Sequence, residues 1–301
     1  MKMPSASIYG TLGTFFVFLS AVSFVLFDKD YKRNLTRKET DMKKRVKKFL
    51  AIVLAFLFLA VPLRVWALDR TPCNWFVQNN DNHTPPLLHE SFAFTKGYDF
   101  YYLDKDAKES DKVIYLTFDA GYENGNVEKV LDALDKHGVK GSFFILENLI
   151  CRAPALVKRM VDSGHAVCNH TATHPDMSKI TDPGLFEKQL TRLEKAFTEL
   201  TGQSMMKVYR PPQGRFSEEN LAFADRLGYK TLLWSFAYAD WDNQKQPNPN
   251  EALEKILAHL HNGEVMLLHP TSATNAAIMD RLLCEIKARG YRIGTIEELL
   301  G

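Results

Sequence analysis

From residue 112 onward, short apolar runs alternate with longer runs in which apolar positions recur every three or four residues. The short runs, rich in β-branched and aromatic residues, predict seven strands, at 113–118, 141–146, 165–170, 207–210, 231–236, 264–269 and 291–296. The amphipathic runs predict helices near 127–137, 154–163, 183–200, 217–227, 250–261 and 275–289. This alternation implies an α/β fold with parallel strands and right-handed crossovers, either a doubly wound sheet or a barrel.

Residues 68–111, which precede the first predicted strand, are polar and irregular, with Thr-Pro-Pro at 84–86 and many aromatic residues. No strand or helix period is evident in them. We interpret this segment as a linker and N-terminal cover whose aromatic side chains pack on the domain behind it.

The N-terminal residues 1–67 form a hydrophobic export or anchor region. Within it, residues 42–67 have the layout of a secretory signal: the basic cluster KKRVKK, a 15-residue uncharged run, and small residues before a cleavage point after Ala67. The earlier uncharged stretch is long enough for a transmembrane helix at residues 5–27.

Two interpretations of that region stay open. With a genuine first helix, the basic segment between the apolar stretches lies in the cytoplasm by the positive-inside rule, and the protein is anchored in the membrane. If Met42 is the true start, residues 1–41 are upstream sequence and the protein is secreted to the cell wall. Both predict export of residues 68–301 across the cytoplasmic membrane.

The charge distribution argues against nucleic-acid binding. Residues 1–67 hold 12 of the 38 Lys and Arg residues but 4 of the 36 Asp and Glu residues, so the remainder of the chain is net −6. The body of the protein therefore has no net basic charge with which to neutralise phosphates.

The four cysteines show neither CxxC pairing nor zinc-finger spacing. Export makes a Cys151–Cys168 disulfide compatible with the redox environment, but spacing does not establish it. We expect Cys168 and Cys284 to be small buried hydrophobic residues.

Ionisable residues follow the ends of separate predicted strands: Asp119, His170 with His174, Arg210, His269, and Asp240 just beyond the fifth strand. Each has an ordinary structural explanation, such as a turn cap for Asp119 before Gly121. Two histidines four residues apart can also bind one divalent metal. A metal hydrolase site explains all of these residues together, whereas a structural explanation must account for each one separately.

Five motifs stand at these strand ends: TFDA (117–120), HTATH (170–174), RPPQG (210–214), DW (240–241) and LLH (267–269). In residues 112–301 the chain resembles the polysaccharide deacetylase family (carbohydrate esterase family four), which has TFDD, H-[ST]-x-x-H, R-P-P-x-G, a D-W-like segment and L-x-H in that order. The resemblance implies a distorted (β/α)7 barrel, which decides between the two architectures.

The same resemblance implies roles for the residues of these motifs. His170 and His174 hold a divalent metal, usually zinc. Asp119 is the general base and Arg210 positions it, while His269 is the general acid and Asp240 orients it. The backbone near Gln213 and Gly214 supplies an oxyanion donor.

Candidate substrate contacts come from the loop after Asp119, from RPPQG and from the DW segment; they are Tyr122, Glu123, Asn124, Pro211, Gln213, Gly214 and Trp241. For residues 122–124, ordinary turn chemistry is the alternative. One of Trp241 and Trp234 faces the sugar or both are core residues, and we expect Trp234 in the core because it lies inside a predicted strand.

Four sequence features, GYENG, RPPQG, FAYADW and NWFVQNNDNHTPP, resemble the peptidoglycan N-acetylmuramic acid deacetylases of muramic δ-lactam formation in spore cortex. They imply metal-dependent hydrolysis of the acetamide of N-acetylmuramic acid in peptidoglycan glycan strands. The alternatives are a deacetylase of chitooligosaccharide or xylan, and a non-catalytic wall-binding protein with a degraded metal site.

Ala120 departs from the family pattern, because most members have there an aspartate that completes the metal site. At most two protein ligands of the usual set then remain, whereas zinc normally has three or more. We therefore expect weak, exchangeable metal binding.

Overall fold

A computed structural model describes residues 68–78 and 82–301, together with residues 47–48. The chain divides into two compact units, Met1–Ala67 and Leu68–Gly301, and the following concerns the second. Residues 5–27 and all but two of residues 42–67 lie outside the described residues, and with them the predicted anchor and signal. Among the residues that are described, no helix combines the length and apolar character needed to cross a membrane.

The strands of the second unit form one large parallel sheet and one small antiparallel pair. Their bounds are β1 (Cys73–Asn74), β2 (Phe100–Tyr101), β3 (Val113–Ala120), β4 (Ser142–Ile145), β5 (Ala166–Asn169), β6 (Val208–Tyr209), β7 (Arg215–Phe216), β8 (Lys230–Leu232), β9 (Glu264–Leu268) and β10 (Arg292–Ile293). Strand β3 pairs in parallel with β4, β9 and β10, and the sheet continues from β4 through β5, β6 and β8 to β2. Strands β1 and β7 pair antiparallel.

Helices follow most strands of the large sheet. They are α1 (Val127–His137), α2 (Glu147–Arg152), α3 (Pro154–Asp162), α4 (Pro183–Thr201), α5 (Glu218–Arg226), α6 (Pro249–His259), α7 (Ala273–Ala288) and α8 (Ile296–Leu300), with 3-10 turns at Glu90–Gly97, Met177–Lys179 and Pro212–Gly214. The six predicted helices are present within two residues of their expected ends. Helices α2 and α8 were not predicted, because five or six residues are too few for a helical period to show.

The predicted α/β fold is confirmed, and the parallel sheet curls back on itself. Strand β8 ends at Leu232, and Phe236 then forms a parallel bridge to Met266 of β9, which brings the far side of the sheet back against the strand beside β3. The strand predicted at 231–236 is therefore short. The strand predicted at 291–296 is shorter still, because Thr295 accepts the backbone N–H of Glu298 and begins α8.

Strand β3 is buried on both faces, which is typical of a parallel strand covered by helices. Ile114, Leu116 and Phe118 belong to one apolar cluster with residues of α1 and α7, whereas Val113 and Tyr115 belong to another cluster inside the curled sheet. Alternation along the strand therefore places Asp119 on the inner side, at the C-terminal end of the sheet.

Residues 68–111 are more ordered than a linker. They contribute β1, a 3-10 turn and β2, which joins the edge of the large sheet beside β8. The expected aromatic packing is present: Trp75 contacts Phe92, Phe100 and Tyr102, and its Nε1 donates to the carbonyl of Trp234 at 2.9 Å. This segment thus supports the chain that leads from β8 to the C-terminal edge of the sheet.

All four cysteines are free thiols, so Cys151 and Cys168 form no disulfide. Cys168 is fully buried, as expected. The prediction for Cys284 was wrong, because this residue lies on the exposed side of α7.

A buried carboxyl group lies at the start of β9, at the opposite end of that strand from His269. Glu264 is fully buried; its Oε2 accepts the backbone N–H of His261 at 3.0 Å, while Oε1 has no hydrogen-bond partner in the part of the chain described. Burial raises the pKa of Glu264 well above its ordinary value and lowers the pKa of His261 to about 4. Both groups are therefore driven towards their uncharged forms.

We expect Glu264→Gln to stabilise the protein at neutral and alkaline pH. Because the folded-state pKa is raised, stability is complete below the unfolded-state pKa of glutamate, about 4.3, and declines as the pH rises through the folded-state pKa. Glutamine does not ionise, so near pH 8 the variant should have a higher melting temperature than the parent protein, and its free energy of unfolding should be larger by about 1 kcal/mol. Near pH 4 the two proteins should have about the same melting temperature. Calorimetry across this range measures the difference.

Glu219→Gln is the matched control, because Glu219 is equally buried but is paired with Arg70 at 2.8 Å. Its substitution should lower stability at neutral pH. If the difference in melting temperature between Glu264→Gln and the parent protein were the same at every pH, the explanation would be contradicted.

Candidate active site

The ionisable residues predicted at the strand ends meet at one edge of the sheet. Asp119, His170, His174 and His269 line a single pocket of about 790 Å³. Arg210 and Asp240 lie behind its wall, with 0% and 1% of their surface exposed. All six predicted residues are therefore brought together by the fold.

Asp119 is held by the buried guanidinium of Arg210. Nη1 of Arg210 donates to Asp119 Oδ1 at 2.8 Å, and Nη2 donates to Thr117 Oγ1 at 2.9 Å, two residues earlier on β3. Burial by itself raises the pKa of Asp119, but the charges of protonated His170, of Arg210 and of His269 outweigh it and hold that pKa below its usual value. Because this pKa is lowered, the carboxylate of Asp119 is ionised at neutral pH.

His170 has one nitrogen committed to the backbone and one directed towards Asp119. Its Nδ1 lies 2.9 Å from the carbonyl oxygen of Arg210 and must donate to it, which leaves the Nε2 lone pair 3.5 Å from Asp119 Oδ2. Burial lowers the pKa of His170 to about 4 and also lowers the pKa of His174. Both imidazoles are thus neutral at pH 7, the form in which histidine binds a metal.

The loop that carries the two histidines is held in an uncommon backbone conformation. Thr171 and His174 have φ of 75° and 58°, and Gln213 across the pocket has φ of 60°. Each non-glycine residue in this region costs roughly 1 kcal/mol or more. His174 is fixed by its backbone N–H, which donates to Thr171 Oγ1 at 3.0 Å, so that its ring lies 5.0 Å from that of His170.

His269 is oriented on the other side of the pocket by Asp240. The carboxylate accepts two hydrogen bonds of 2.7 Å, one from Nδ1 of His269 and one from its backbone N–H. Burial lowers the pKa of His269, but the hydrogen bond and charge of Asp240 and the charge of Asp119 raise it further, so that the net shift is upward. Nε2 is left facing the pocket as a proton donor.

A sequence model of the polysaccharide deacetylase family matches residues 106–232. The peptidoglycan-N-acetylmuramic acid deacetylase PdaA of Bacillus subtilis is 37% identical over 235 residues, which are 78% of this chain and 88% of that protein. The chain belongs to the polysaccharide deacetylase family. This deacetylase is accordingly a hydrolase of the carbohydrate esterase type.

Solved structures of relatives agree with the fold. That of Bacillus subtilis PdaA, a family 4 carbohydrate esterase, is 36% identical and covers 77% of this chain and 98% of its own, with a TM-score of 0.73. A mutant of a family 4 pseudoenzyme from Bacillus anthracis is 30% identical and covers 64% of this chain and 68% of its own, with a TM-score of 0.58. The family thus also contains a protein described as a pseudoenzyme.

The seven predicted substrate contacts divide into two groups. Tyr122, Gln213, Gly214 and Trp241 line the pocket of the deacetylase, and Tyr122 and Trp241 are 42% and 61% exposed. Trp234, expected in the core, is half-buried and also lines the pocket, because it lies beyond the end of β8.

The other three are occupied by the protein itself. Asn124 donates to the carbonyl of Thr271 at 2.9 Å, Glu123 accepts the backbone N–H of Gly125, and Pro211 is buried. Glu123 and Asn124 thus make the turn contacts that the alternative predicts, while Glu123 Oε2 has no hydrogen-bond partner among the described residues. Substrate contact by these two residues stays a prediction. The backbone N–H of Gly214 is also used, because it donates to the carbonyl of Pro211 at 3.0 Å, so this amide is not free as an oxyanion donor.

The residues of the pocket fit a divalent metal in their chemistry. Two neutral imidazoles and an adjacent carboxylate are typical zinc ligands. Ala120 adds no ligand; its methyl group is fully buried in the apolar cluster of Ile114 and Phe118. Within the described part of the chain, three side-chain donors lie within 4.8 Å of one another at His137, Asp280 and Cys284, none of which lines this pocket.

One contributor to the site was missed at the sequence level. Asn275, in the first turn of α7, donates from Nδ2 to Asp240 Oδ2 at 2.6 Å and to the carbonyl of His269 at 3.0 Å. Tyr238 in turn donates its hydroxyl to Asn275 Oδ1. An asparagine three residues after the helix N-cap Ser272 has no sequence pattern that distinguishes it from an ordinary capping residue.

We expect Asp240→Asn to lower the pKa of His269 below the value of about 6.5 for a free histidine. The substitution removes the negative charge of Asp240, which raises the pKa of His269. Burial, which lowers that pKa, should then be the larger effect. A histidine-resolved NMR titration, assigned with His269→Gln, measures the change. Asp242→Asn, an exposed neighbour that does not contact His269, should leave the pKa unchanged; equal shifts in the two variants would contradict the assignment.

Proposed function

We propose that this deacetylase removes the acetyl group from N-acetylmuramic acid in peptidoglycan glycan strands, in the route to muramic δ-lactam of the spore-cortex type. The observation that carries the proposal is the pairing of an ionised carboxylate, Asp119, with a protonatable imidazole, His269, across one pocket. Similarity to PdaA over most of both chains supports this choice of substrate.

In the proposed mechanism Asp119 is the general base and accepts a proton from the attacking water. The low pKa that Arg210 imposes keeps it ionised and ready for this step. His170 and His174 would hold a divalent metal, proposed to be zinc, which when bound polarises the acetamide carbonyl and lowers the pKa of a water molecule to about 7.

His269 is the general acid. It donates a proton from Nε2 to the departing amine, because an amine leaves poorly as an anion. Asp240 holds the ring through Nδ1 and stabilises its charged form, and Asn275 holds Asp240. The two catalytic groups are thus set in opposite protonation states by different partners, which is the arrangement that acid–base catalysis requires.

The exposed aromatic side chains bound the sugar site. Trp241 lies with its ring 6.3 Å from that of His269, and Tyr122 stands on the loop after Asp119 and accepts a hydrogen bond from Asn243. Large apolar faces with polar edges are suited to sugar rings. We propose Trp241 and Tyr122 as walls of the site that holds the target sugar.

Export belongs to the same proposal, because peptidoglycan lies outside the cytoplasmic membrane. Its support is the signal-like pattern of residues 42–67 and the uncharged stretch before it. The membrane is a proposed partner through this N-terminal segment.

We expect acetate release from glycan strands that lack stem peptides and little release from intact peptidoglycan. Lactam closure uses the lactyl carboxyl of the muramic residue, which must be free of peptide before the new amine can attack it. Asp119→Asn should reduce acetate release by at least about 100-fold through loss of the general base, while Asp242→Asn should leave it unchanged. Equal acetate release from both substrates would contradict the proposed specificity.

A second candidate function is that of a non-catalytic wall-binding protein. Ala120 favours it, together with the structural similarity to a family 4 pseudoenzyme. In that case Asp119→Asn would leave glycan binding intact, and the parent protein would release no acetate from any glycan. Deacetylation of chitooligosaccharide or xylan alone would instead assign another polysaccharide as substrate.

We expect Ala120→Asp to tighten zinc binding and to lower the melting temperature of the metal-free protein. A third protein ligand, here a carboxylate, raises affinity, whereas a charge at a fully buried position costs free energy without the metal. Calorimetric zinc titration and thermal unfolding with and without zinc measure both effects. Ala120→Asn has the same side-chain shape as Ala120→Asp but no charge, and it should not tighten zinc binding. Unchanged zinc affinity in Ala120→Asp would contradict the hypothesis that Ala120 weakens metal binding.

A further inference from the structure

A second depression, of about 500 Å³, adjoins the active-site pocket. It is lined by Leu146, Glu147, Asn148, Cys151, Arg152, Ala172 and Thr173. Leu146 lines both cavities, and Ala172 and Thr173 belong to the segment between the two histidines. We call this depression the α2 groove, because most of its lining comes from α2.

The α2 groove and the pocket share a common wall. Asn148 of α2 donates from Nδ2 to the carbonyl of Gly121 at 3.0 Å, and Gly121 lines the pocket in the loop after Asp119. The loop is also tied from its other end, where Asn126 donates to the carbonyl of Thr271 at 3.1 Å. A polymer that leaves the pocket on this side therefore meets a wall fixed by hydrogen bonds.

The groove has two charged side chains, of which one is paired and the other is free. The carboxylate of Glu147 is bound by the guanidinium of Arg192, with Nε and Oε1 2.9 Å apart. Arg152, the last residue of α2, is exposed and has neither an ion pair nor a hydrogen-bond partner in the described parts of the chain. The groove thus presents one free guanidinium.

The pocket offers no comparable cation. No lysine or arginine is among its lining residues, and Arg210 behind it is fully buried and bonded to Asp119, Thr117 and two backbone carbonyls. Of these two adjoining cavities, the α2 groove is the one whose lining includes a free basic side chain.

We propose that the α2 groove binds the continuation of the glycan strand and that Arg152 pairs with the lactyl carboxylate of a muramic acid residue. This rests on the proposed function and extends it to the basis of substrate choice. A guanidinium binds a carboxylate through two parallel hydrogen bonds. Neutral glycans such as chitooligosaccharide have no such group, so Arg152 favours acidic strands over neutral ones.

The test compares Arg152→Ala with the parent protein on peptide-free glycan strands and on the same strands with the lactyl carboxyl reduced to an alcohol. On the acidic strands the variant should raise KM by up to about fivefold, the upper end of the range for an exposed charge pair, with kcat unchanged. On the reduced strands the two proteins should have equal KM. The parent protein's advantage on acidic strands should fall as salt is added.

Two control variants separate the charge from the fold. Arg152→Lys keeps the charge and should restore part of the affinity. Lys158→Ala removes an exposed cation on the neighbouring helix α3, outside the groove, and should leave KM unchanged. An unchanged KM for Arg152→Ala on acidic strands, or an equal rise on acidic and reduced strands, would overturn the proposal.

Failure of the proposed function would be distinguishable from failure of this inference. If the parent protein releases no acetate from muramic glycans, titration calorimetry on the Asp119→Asn variant still reports binding of acidic and reduced strands. Weaker binding of acidic strands after Arg152→Ala in that background supports the groove, and equal binding overturns it.

Discussion

The guanidinium of Arg210 is the contact on which the site depends. It is fully buried, and its donors reach Asp119 and Thr117 on β3 and the carbonyls of Leu232 and Leu233 at the end of β8. Its own carbonyl fixes the tautomer of His170. One residue at the end of β6 thus ties the ends of three strands to the histidine that follows β5. Removing one partner of a buried ion pair typically lowers folding stability by about 3–5 kcal/mol. Loss of Arg210 should therefore disrupt both the site and the closure of the sheet.

The opposite wall of the pocket is built on the same principle with the charges reversed. Arg210 keeps a carboxylate ionised, and Asp240 keeps an imidazole basic. Each charge is largely buried at the edge of the pocket, so its partner outweighs solvent in setting its protonation state. The interior of the curled sheet allows this, because neighbouring parallel strands end at the same edge and place unlike groups a few ångströms apart without exposing them.

Much of the fold and the site followed from the sequence, and the failures have physical causes. Helix α1 and strand β3 were predicted well because their apolar periods are long and regular. Asp119, Arg210 and His269 were predicted because strand ends converge in any parallel sheet.

What could not be predicted depends on contacts between distant segments. Asn275 acts on Asp240 from 35 residues away, and Trp234 lines the pocket because β8 ends two residues before it. Cys284 was expected inside and lies outside, because a helix position is assigned to a face only by the packing of its neighbours. Local pattern specifies elements and their order; the partner of each buried polar group comes only from the tertiary structure.

The buried groups of the pocket argue against a decayed site, despite Ala120. Buried charged groups are expensive, and apolar residues of similar volume often replace buried ion pairs without loss of stability. Yet this pocket is built on buried Arg210, Asp240 and His170, and on two histidine-loop residues with positive φ. A protein that only binds the cell wall gains nothing from burying charged groups or from straining the backbone. A hydrolase needs these groups, because they keep Asp119 ionised and His269 protonatable. The strained, charged interior therefore favours catalysis over wall binding alone.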